Sequence, residues 1–575
     1  MQKIGIGFEF YKKMIDKKCY YVDKTLLIRD VVENGGEVTL FTRPRRFGKT
    51  MALTMLQAFF EEALDRNGNP VDNSRYFEGK KIMDAGEEIV SMMGKYPVIF
   101  LTLKSAKQPT FENAFYQLAS DIMFEVSRHD YLLKSDRLAA KDRLALERLL
   151  NIEVRPYFLP DDEKRLEEDI AAFSKALKIL SVCLEQYHGR NAIILLDEYD
   201  VPLENAYYAG FYDRMVGFIR ALFEASLKTN PALEFAVVTG CLRISKESIF
   251  TGLNHLFINS VRSTGFSEGF GFTQEETEAM LSAYGLQDWI EEVRDWYNGY
   301  LFGETEIYNP WSVTYYVYGK VVDKKKFPEP YWANTSSNAI IKDLVAQADE
   351  NMKEELERLI DFETIEKKIH EDITYDDIHQ SEDNLWNFLF FTGYLRKVSE
   401  RKEGRDIYLT MRIPNQEICS IYENQIRNWF DNVVKGSDRS GFHQAVLSGD
   451  TDEMGAFVVG LLEQSISTFD SRESFYHGFL LSLLIGTPGY TTRSNREEGN
   501  GRPDIVLYPL RPKDLAIIFE CKIRKKFNQM EEGIQEAFDQ IRNMNYEEGI
   551  LDDGYAGAVS YGVCFCKKNV IFRRK

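Results

Sequence analysis

Three short runs in this sequence carry residue types that handle phosphate. Gly48-Lys49-Thr50 closes the stretch Leu40-Phe41-Thr42-Arg43-Pro44-Arg45-Arg46-Phe47. An ammonium at Lys49 can reach the β- and γ-phosphates of a nucleotide, and the Thr50 hydroxyl can ligate Mg²⁺. Asp197-Glu198 closes the apolar run Ala192-Ile193-Ile194-Leu195-Leu196. Asp197 suits Mg²⁺ held through water, and Glu198 is placed to polarise an attacking water. Further along, Asp504 precedes Glu520-Cys521-Lys522. Two carboxylates on paired strands can share a divalent cation, and the nearby ammonium can orient water or neutralise charge on a phosphodiester.

Each run needs a scaffold to aim it. Val38 to Phe41 reads as a buried strand, and Met51-Ala52-Leu53-Thr54-Met55-Leu56 as the start of a helix running to about Leu64. Strand, Gly-Lys-Thr, helix points backbone N–H groups and the positive end of the helix dipole at an anion. The usual pattern has glycine five residues before Gly48, and this chain has Arg43 there. Arginine lacks glycine's freedom at positive φ. The loop is therefore expected to replace part of its backbone cradle with guanidinium contacts from Arg43, Arg45 and Arg46. The run before Asp197 fits the central strand of a parallel sheet, where ligands collect at the carboxyl ends. Tyr96 to Leu103 reads as another buried strand, followed by a helix from about Thr110 to Val126. Glu234 to Gly240 reads as a further strand ending next to Asp197, with Thr239 or Arg243 placed to sense the γ-phosphate.

The C-terminal stretch changes texture to a helix followed by strands. A helix from Ser474 to Ile485 has Glu473 at its first turn, where it could complete a metal shell. Strands are expected at Gly489 to Ser494, Pro503 to Tyr508 and Leu515 to Lys522, with a tight turn at Gly499-Asn500-Gly501-Arg502. A helix from Met530 to Met544 and a strand from Ala558 to Cys566 complete an αβββαβ order. Alternation along the third strand puts Glu520 and Lys522 on one face. His477 reads as a packed core histidine.

Phe41 to Thr50, Leu195-Leu196-Asp197-Glu198-Tyr199-Asp200 and Thr239-Gly240-Cys241-Leu242-Arg243-Ile244-Ser245 together resemble the bacterial AAA-ATPase-like family, often fused to a C-terminal PD-(D/E)XK nuclease-like domain. Trp296-Tyr297-Asn298-Gly299-Tyr300, Ile307 to Ser312 and Tyr331 to Asn338 are similar to it too. In that family the arginine at the first loop position is habitual. Pro503-Asp504 followed by Glu520-x-Lys522 resembles the PD-(D/E)XK phosphodiesterase signature, and Gln540 and Tyr546 match a Gln and a Tyr of its last helix. The resemblance implies an α/β protein: a P-loop domain of AAA/ASCE type, a helical and winged-helix-like middle, and a restriction-endonuclease-like end. It implies ATP and Mg²⁺ at the first site and Mg²⁺ or Mn²⁺ at the second.

Length and composition narrow the classes. A chain of 575 residues is too long for a single core. The division expected is 1–265, 266–440 and 441–575. Within the middle, Thr273 and Glu276 form a capping box opening a helical lid, and Asn384 to Val398 reads as an apolar helix before a charged hairpin tip at Glu400 to Arg405. Aromatic Tyr297, Tyr300, Tyr308 and Trp311 read as core. Seven scattered cysteines without a C-x-x-C pair suit reduced thiols in a cytoplasm. No apolar run spans a membrane, and charge at Glu9, Lys12 and Lys13 interrupts any signal-peptide core. A net charge of −19 argues against coating nucleic acid with the whole surface, leaving local basic clefts. Two main readings stand at this point, beside a third, an ATPase with no nucleic-acid role. One is an ATP-dependent, metal-dependent nuclease acting on DNA before RNA, with a homo-oligomer allowed. The other is a nucleotide-switched binding module whose nuclease fold grips nucleic acid without turnover.

Overall fold

In a computed structural model, the structure describes residues 2–65, 69–157, 162–242, 249–250, 256–332, 341, 344, 349–369, 375, 377–378, 381–463, 473–494 and 503–575, with backbone alone at 350, 427–435, 463 and 473–475. Two compact units form: residues 1–336 with 366–418, and residues 337–365 with 419–575. No helix among the described residues is long and apolar enough to cross a membrane.

The first unit is built on five parallel strands: β1 (Val38–Thr42), β2 (Val98–Thr102), β3 (Ala192–Asp197), β4 (Leu233–Gly240) and β5 (Leu256–Asn259). Their order is β2-β3-β4-β1-β5. Every residue of β1 and β3 is buried, as expected of strands covered on both faces. Ile193, Ile194, Leu195 and Leu196 each contribute about 1.5–3 kcal/mol by leaving water. β4 therefore stands between the strand that feeds the Gly-Lys-Thr loop and the strand that ends in Asp197. All five carboxyl ends open on one edge, and the chain order switches direction beside β1. β5 is a short strand at the sheet edge that the apolar pattern did not flag.

The helix after the loop spans Lys49–Phe60 and stops before the expected Leu64. Glu61 and Leu64 pair instead in bridges with Tyr96 and Pro70, which draw the backbone out of the helix. The expected helix near 110–126 is Phe111–Ser127, capped by the Thr110 hydroxyl. The charged stretch 130–170 contributes helices Ala140–Leu150 and Asp162–Phe173.

Beyond the sheet, the capping box of Thr273 and Glu276 is present at the start of Gln274–Ala283. A hairpin, β6 (Tyr300–Phe302) and β7 (Thr305–Ile307), precedes the helix Pro310–Val322, whose cap is the Asn309 side chain. The span Asn384 to Val398 is not one helix. The helix Glu382–Phe391 ends at Thr392, and Gly393 turns the chain at φ +91°. β8 (Ile365–Lys368), β9 (Arg396–Glu403) and β10 (Asp406–Arg412) form a sheet in the order β8-β10-β9. The apolar content of 385–391 fits a helix, but the glycine at 393 ends it, and the charged run that follows is β9 and the tip at Gly404-Arg405.

The second unit carries a mixed sheet: β11 (Tyr490–Ser494), β12 (Ile505–Pro509), β13 (Ala516–Ile523), β14 (Ala558–Cys566) and β15 (Asn569–Arg574), in that order. β13 and β14 are parallel, and every other pairing is antiparallel. Parallel neighbours need a crossover, and the helix Met530–Asn543 supplies it. Its Ile541 packs with Val506, Tyr508 and Ile518, and its Met530 and Ile534 pack with Cys564 and Cys566. β15 adds an edge strand beyond the expected αβββαβ order. The helix Glu473–Leu484 precedes the sheet.

Candidate functional sites

At the first site, β1 delivers the loop and the helix Lys49–Phe60 continues from it. Gly48 sits at φ +85°, a conformation glycine adopts without a side-chain clash. Lys49 is buried, and its Nζ donates to the carbonyl oxygens of Arg43 at 2.9 Å and Pro44 at 3.0 Å, and to Cys241 Sγ at 3.6 Å. The ammonium is thus held over the loop by neutral hydrogen-bond acceptors, within the field of the Asp197 and Asp200 carboxyls.

The Thr50 hydroxyl donates to Asp197 Oδ2 at 2.6 Å, and the Thr239 hydroxyl donates to Asp197 Oδ1 at 2.7 Å. Because β4 lies between β1 and β3, Thr239 reaches Asp197 from the side. Burial and the adjacent Glu198 raise the Asp197 carboxyl above its usual range, against the pull of both hydroxyls and Lys49. A hydroxyl and a carboxylate beside a lysine make an oxygen donor set of the kind Mg²⁺ takes, so these residues fit the group. Glu198 follows at φ +52°, a left-handed conformation that costs a non-glycine residue about 1–2 kcal/mol.

Two residues that sequence reasoning passed over fix the end of β4. Asp200, 3% exposed, accepts from the backbone N–H of Cys241 at 2.7 Å and Leu242 at 3.2 Å through Oδ2. Its carboxyl is pushed up to about 6 by burial. The Tyr199 hydroxyl donates to the Leu242 carbonyl at 2.6 Å. Their place directly after Asp197-Glu198 was the available signal. Arg243 lies outside the described residues.

The three loop arginines have three fates. Arg43 is fully buried, and this corrects the expectation that it contacts phosphate. Its guanidinium donates to Thr42 O at 2.9 Å, Asn259 O at 2.9 Å and Asn259 Oδ1 at 2.5 Å, and lies over Phe270 and Phe302. Burial drives it down to about 9. It ties β1 to β5 from inside the domain. Arg45 is paired with Glu204, and its carbonyl accepts from Trp332 Nε1 at 3.1 Å. Arg46 is half-buried at φ +69°, with its guanidinium 4.0 Å from the centre of the Trp311 ring. A half-buried stack of this kind contributes about 0.5–2 kcal/mol, comparable with the cost of its left-handed backbone. Phe47 packs on Tyr300 and Phe302, and Gly271 N donates to Phe47 O at 3.1 Å, so residues of the helical region hold the loop. Tyr297, Tyr300 and Tyr308 are core, whereas Trp311 is half-buried.

At the second site, β12 and β13 run antiparallel with Ile505 opposite Phe519, which carries Asp504 to the level of Glu520. Asp504 Oδ2 accepts from Cys521 N at 2.8 Å, and Asp504 N lies 3.4 Å from Glu520 Oε2. Lys522 Nζ donates to Glu520 Oε1 at 3.2 Å and to Gln540 Oε1 at 2.8 Å. Gln540 in turn donates to Tyr546 Oη at 3.5 Å. The Glu520 and Lys522 side chains thus meet, and the Asp504 carboxylate reaches their strand at Cys521 N, near enough to act on Glu520. Glu520 is wholly buried, and burial with the neighbouring Asp504 raises its carboxyl despite Lys522. His477 Nε2 lies 2.8 Å from the Asp504 carbonyl and 3.1 Å from Ser494 Oγ, joining the preceding helix to both strands. The Glu473 side chain and the turn at Gly501-Arg502 lie outside the described residues. Among the described residues no three His, Cys, Asp or Glu side chains gather as metal ligands. Asp504 and Glu520 fit a hard cation as a two-carboxylate, all-oxygen pair.

Residues 5–250 match the family model described as a predicted AAA-ATPase, and residues 471–575 match that of the PD-(D/E)XK nuclease superfamily. The chain thus joins an AAA-ATPase-like segment to a PD-(D/E)XK nuclease-superfamily segment. An "Uncharacterized protein in vnfD 5'region" of Azotobacter chroococcum mcd 1 is 24% identical over 424 residues, 72% of this chain and 68% of that protein. No solved structure matches.

Proposed function

We propose that this chain binds and hydrolyses ATP at the first site and cleaves phosphodiester bonds of DNA, with a divalent cation, at the second. The pairing of Glu520 with Lys522, with the Asp504 carboxylate bonded to Cys521 N between them, carries the nuclease reading. At the first site Lys49 would face the β- and γ-phosphates. Thr50 and Asp197 would hold Mg²⁺ between them, and Thr239 would keep Asp197 oriented. Glu198 would take a proton from the attacking water.

At the second site Asp504 and Glu520 would hold Mg²⁺ or Mn²⁺, with Glu473 as a further ligand. When bound, such a cation supplies Lewis-acid polarisation of a phosphate oxygen and a more acidic water. Lys522, steadied by Gln540, would offset the negative charge that develops at phosphorus. The test is plasmid cleavage by the full chain with Mn²⁺ and ATP, beside Lys522→Ala. Cutting by the wild type and none by the variant is expected. An intact plasmid with wild-type protein across Mg²⁺ and Mn²⁺ would refute the nuclease reading.

One observation favours a second reading, a nucleotide-switched grip on nucleic acid without turnover. Lys522 already pairs with Glu520, and the described residues bring only two carboxylates to the site. DNA retention that depends on nucleotide and survives Glu520→Ala would support it.

A further inference from the structure

Arg46 is the loop arginine whose function the fold leaves open. Arg43 is bonded to carbonyls and Asn259, and Arg45 is paired with Glu204. Among the described residues Arg46 makes no ion pair and no hydrogen bond, so its five N–H donors are available. Trp311 holds the flat face of the guanidinium at 4.0 Å. A face-on stack leaves the donor edge in the ring plane free to point at an anion. The side chain also lies in the field of the Glu9 and Glu198 carboxylates. Lys104, the other cation near Glu198, is exposed and bonded to Glu9 at 2.8 Å. The loop keeps Arg46 at φ +69°, a left-handed conformation of the kind that clusters at active sites.

We propose that Arg46 is the arginine of phosphoryl transfer supplied in cis: oriented by Trp311, it stabilises the charge that builds on the transferring phosphoryl group. This rests on the reading of the loop as an ATP site. In the step, the oxygen of a water forms a bond to the γ-phosphorus, and the bond from that phosphorus to the bridging oxygen breaks. ADP leaves with the bridging electron pair, and the water's proton passes to Glu198 and then to solvent. The donors of Arg46 engage the equatorial oxygens as charge spreads over them, a contribution that other phosphoryl-transfer proteins draw from the same chain or from a neighbour. Arg46 thereby lets one chain complete its own site without an arginine from a second copy.

The experiment compares equilibrium binding of ADP with that of ADP plus aluminium fluoride, a mimic of the transferring group. Calorimetry is run in Mg²⁺ on the full chain, with Arg46→Ala, Arg46→Lys and Trp311→Leu beside it. Wild type is expected to bind the mimic at least tenfold more tightly than ADP. Both Arg46 variants should lose that surplus while ADP affinity stays within threefold, and Trp311→Leu should lose part of it. Hydrolysis per chain should be constant over a hundredfold dilution. Equal loss of ADP and mimic affinity in Arg46→Lys would overturn the proposal, making Arg46 a ground-state contact. Full mimic affinity in that variant, with hydrolysis falling on dilution, would overturn it in favour of an arginine from another copy. Wild type binding neither ATP nor ADP would overturn the underlying nucleotide reading, whereas loss of the Arg46 proposal alone leaves ADP binding intact.

Discussion

At the end of β3 the acid is gripped by hydroxyls; at the end of β13 it is gripped by an ammonium. Asp197 takes hydrogen bonds from Thr50 and Thr239, both neutral, and feels the Lys49 ammonium only through space. Glu520 takes one from Lys522, and part of its charge is already met. Hydroxyl donors can hold an acid in place and still leave it for a cation to claim. An ammonium donor steadies a buried acid, and any cation must share it. Glu417 extends the first type. It is fully buried, accepts from Ser312 Oγ and Trp332 N, and is pushed up to about 8 by burial.

The sharpest way to break this contrast is to remove the ammonium. Lys522→Met should destabilise the folded chain by about 3–5 kcal/mol, because a buried acid loses its cation. Adding Glu520→Gln should recover most of that loss in urea unfolding. A small effect of the single substitution would show that Glu520 does not depend on Lys522. At the other site Lys49→Ala should weaken ATP binding by about 3 kcal/mol, roughly a hundredfold, through loss of charge-assisted hydrogen bonds. Calorimetry finding unchanged affinity would detach phosphate recognition from this loop.

A pH series sharpens the role of neutral donors. Burial pushes the Glu417 carboxyl from an ordinary 4.5 up to about 8, so its contribution to stability is full below 4.5 and lost as pH rises through about 8. From pH 6.5 to 8 the wild type should lose about 2 kcal/mol that Glu417→Gln does not lose, since each pH unit in the window counts about 1.4 kcal/mol. Parallel denaturation curves for the two proteins would rule this out. The smallest effect is expected from Thr239→Val, which strips one hydroxyl from Asp197. It should cost about 1–2 kcal/mol of stability and leave ADP affinity nearly unchanged.

Much of both sites was legible because an apolar strand and a charged end sit together in sequence. Asp197 follows five buried residues, and Glu520 and Lys522 share a face by strict alternation. Arg43 was misread for a physical reason. A cation beside Gly-Lys-Thr suggests an anion, but its actual surroundings, Asn259, Phe270 and Phe302, arrive from more than 200 residues away. Asp200 and Tyr199 were hidden because a turn residue gives no sign that it will hold the end of a neighbouring strand. β5 escaped because four half-covered residues at a sheet edge carry little periodicity. The helix near 384–398 was overextended because apolar content outweighed the glycine at 393.

Six of the seven cysteines are buried residues, and the half-buried one, Cys241, sets its sulfur against Lys49 across the loop. Mild alkylation of the native chain should therefore mark the wall of the proposed nucleotide site ahead of any other place. Its thiol is pushed up to about 11 by burial, so the labelling is slow at neutral pH. A reagent clocked over hours, with and without nucleotide, turns that cysteine into a built-in gauge of whether the pocket is filled.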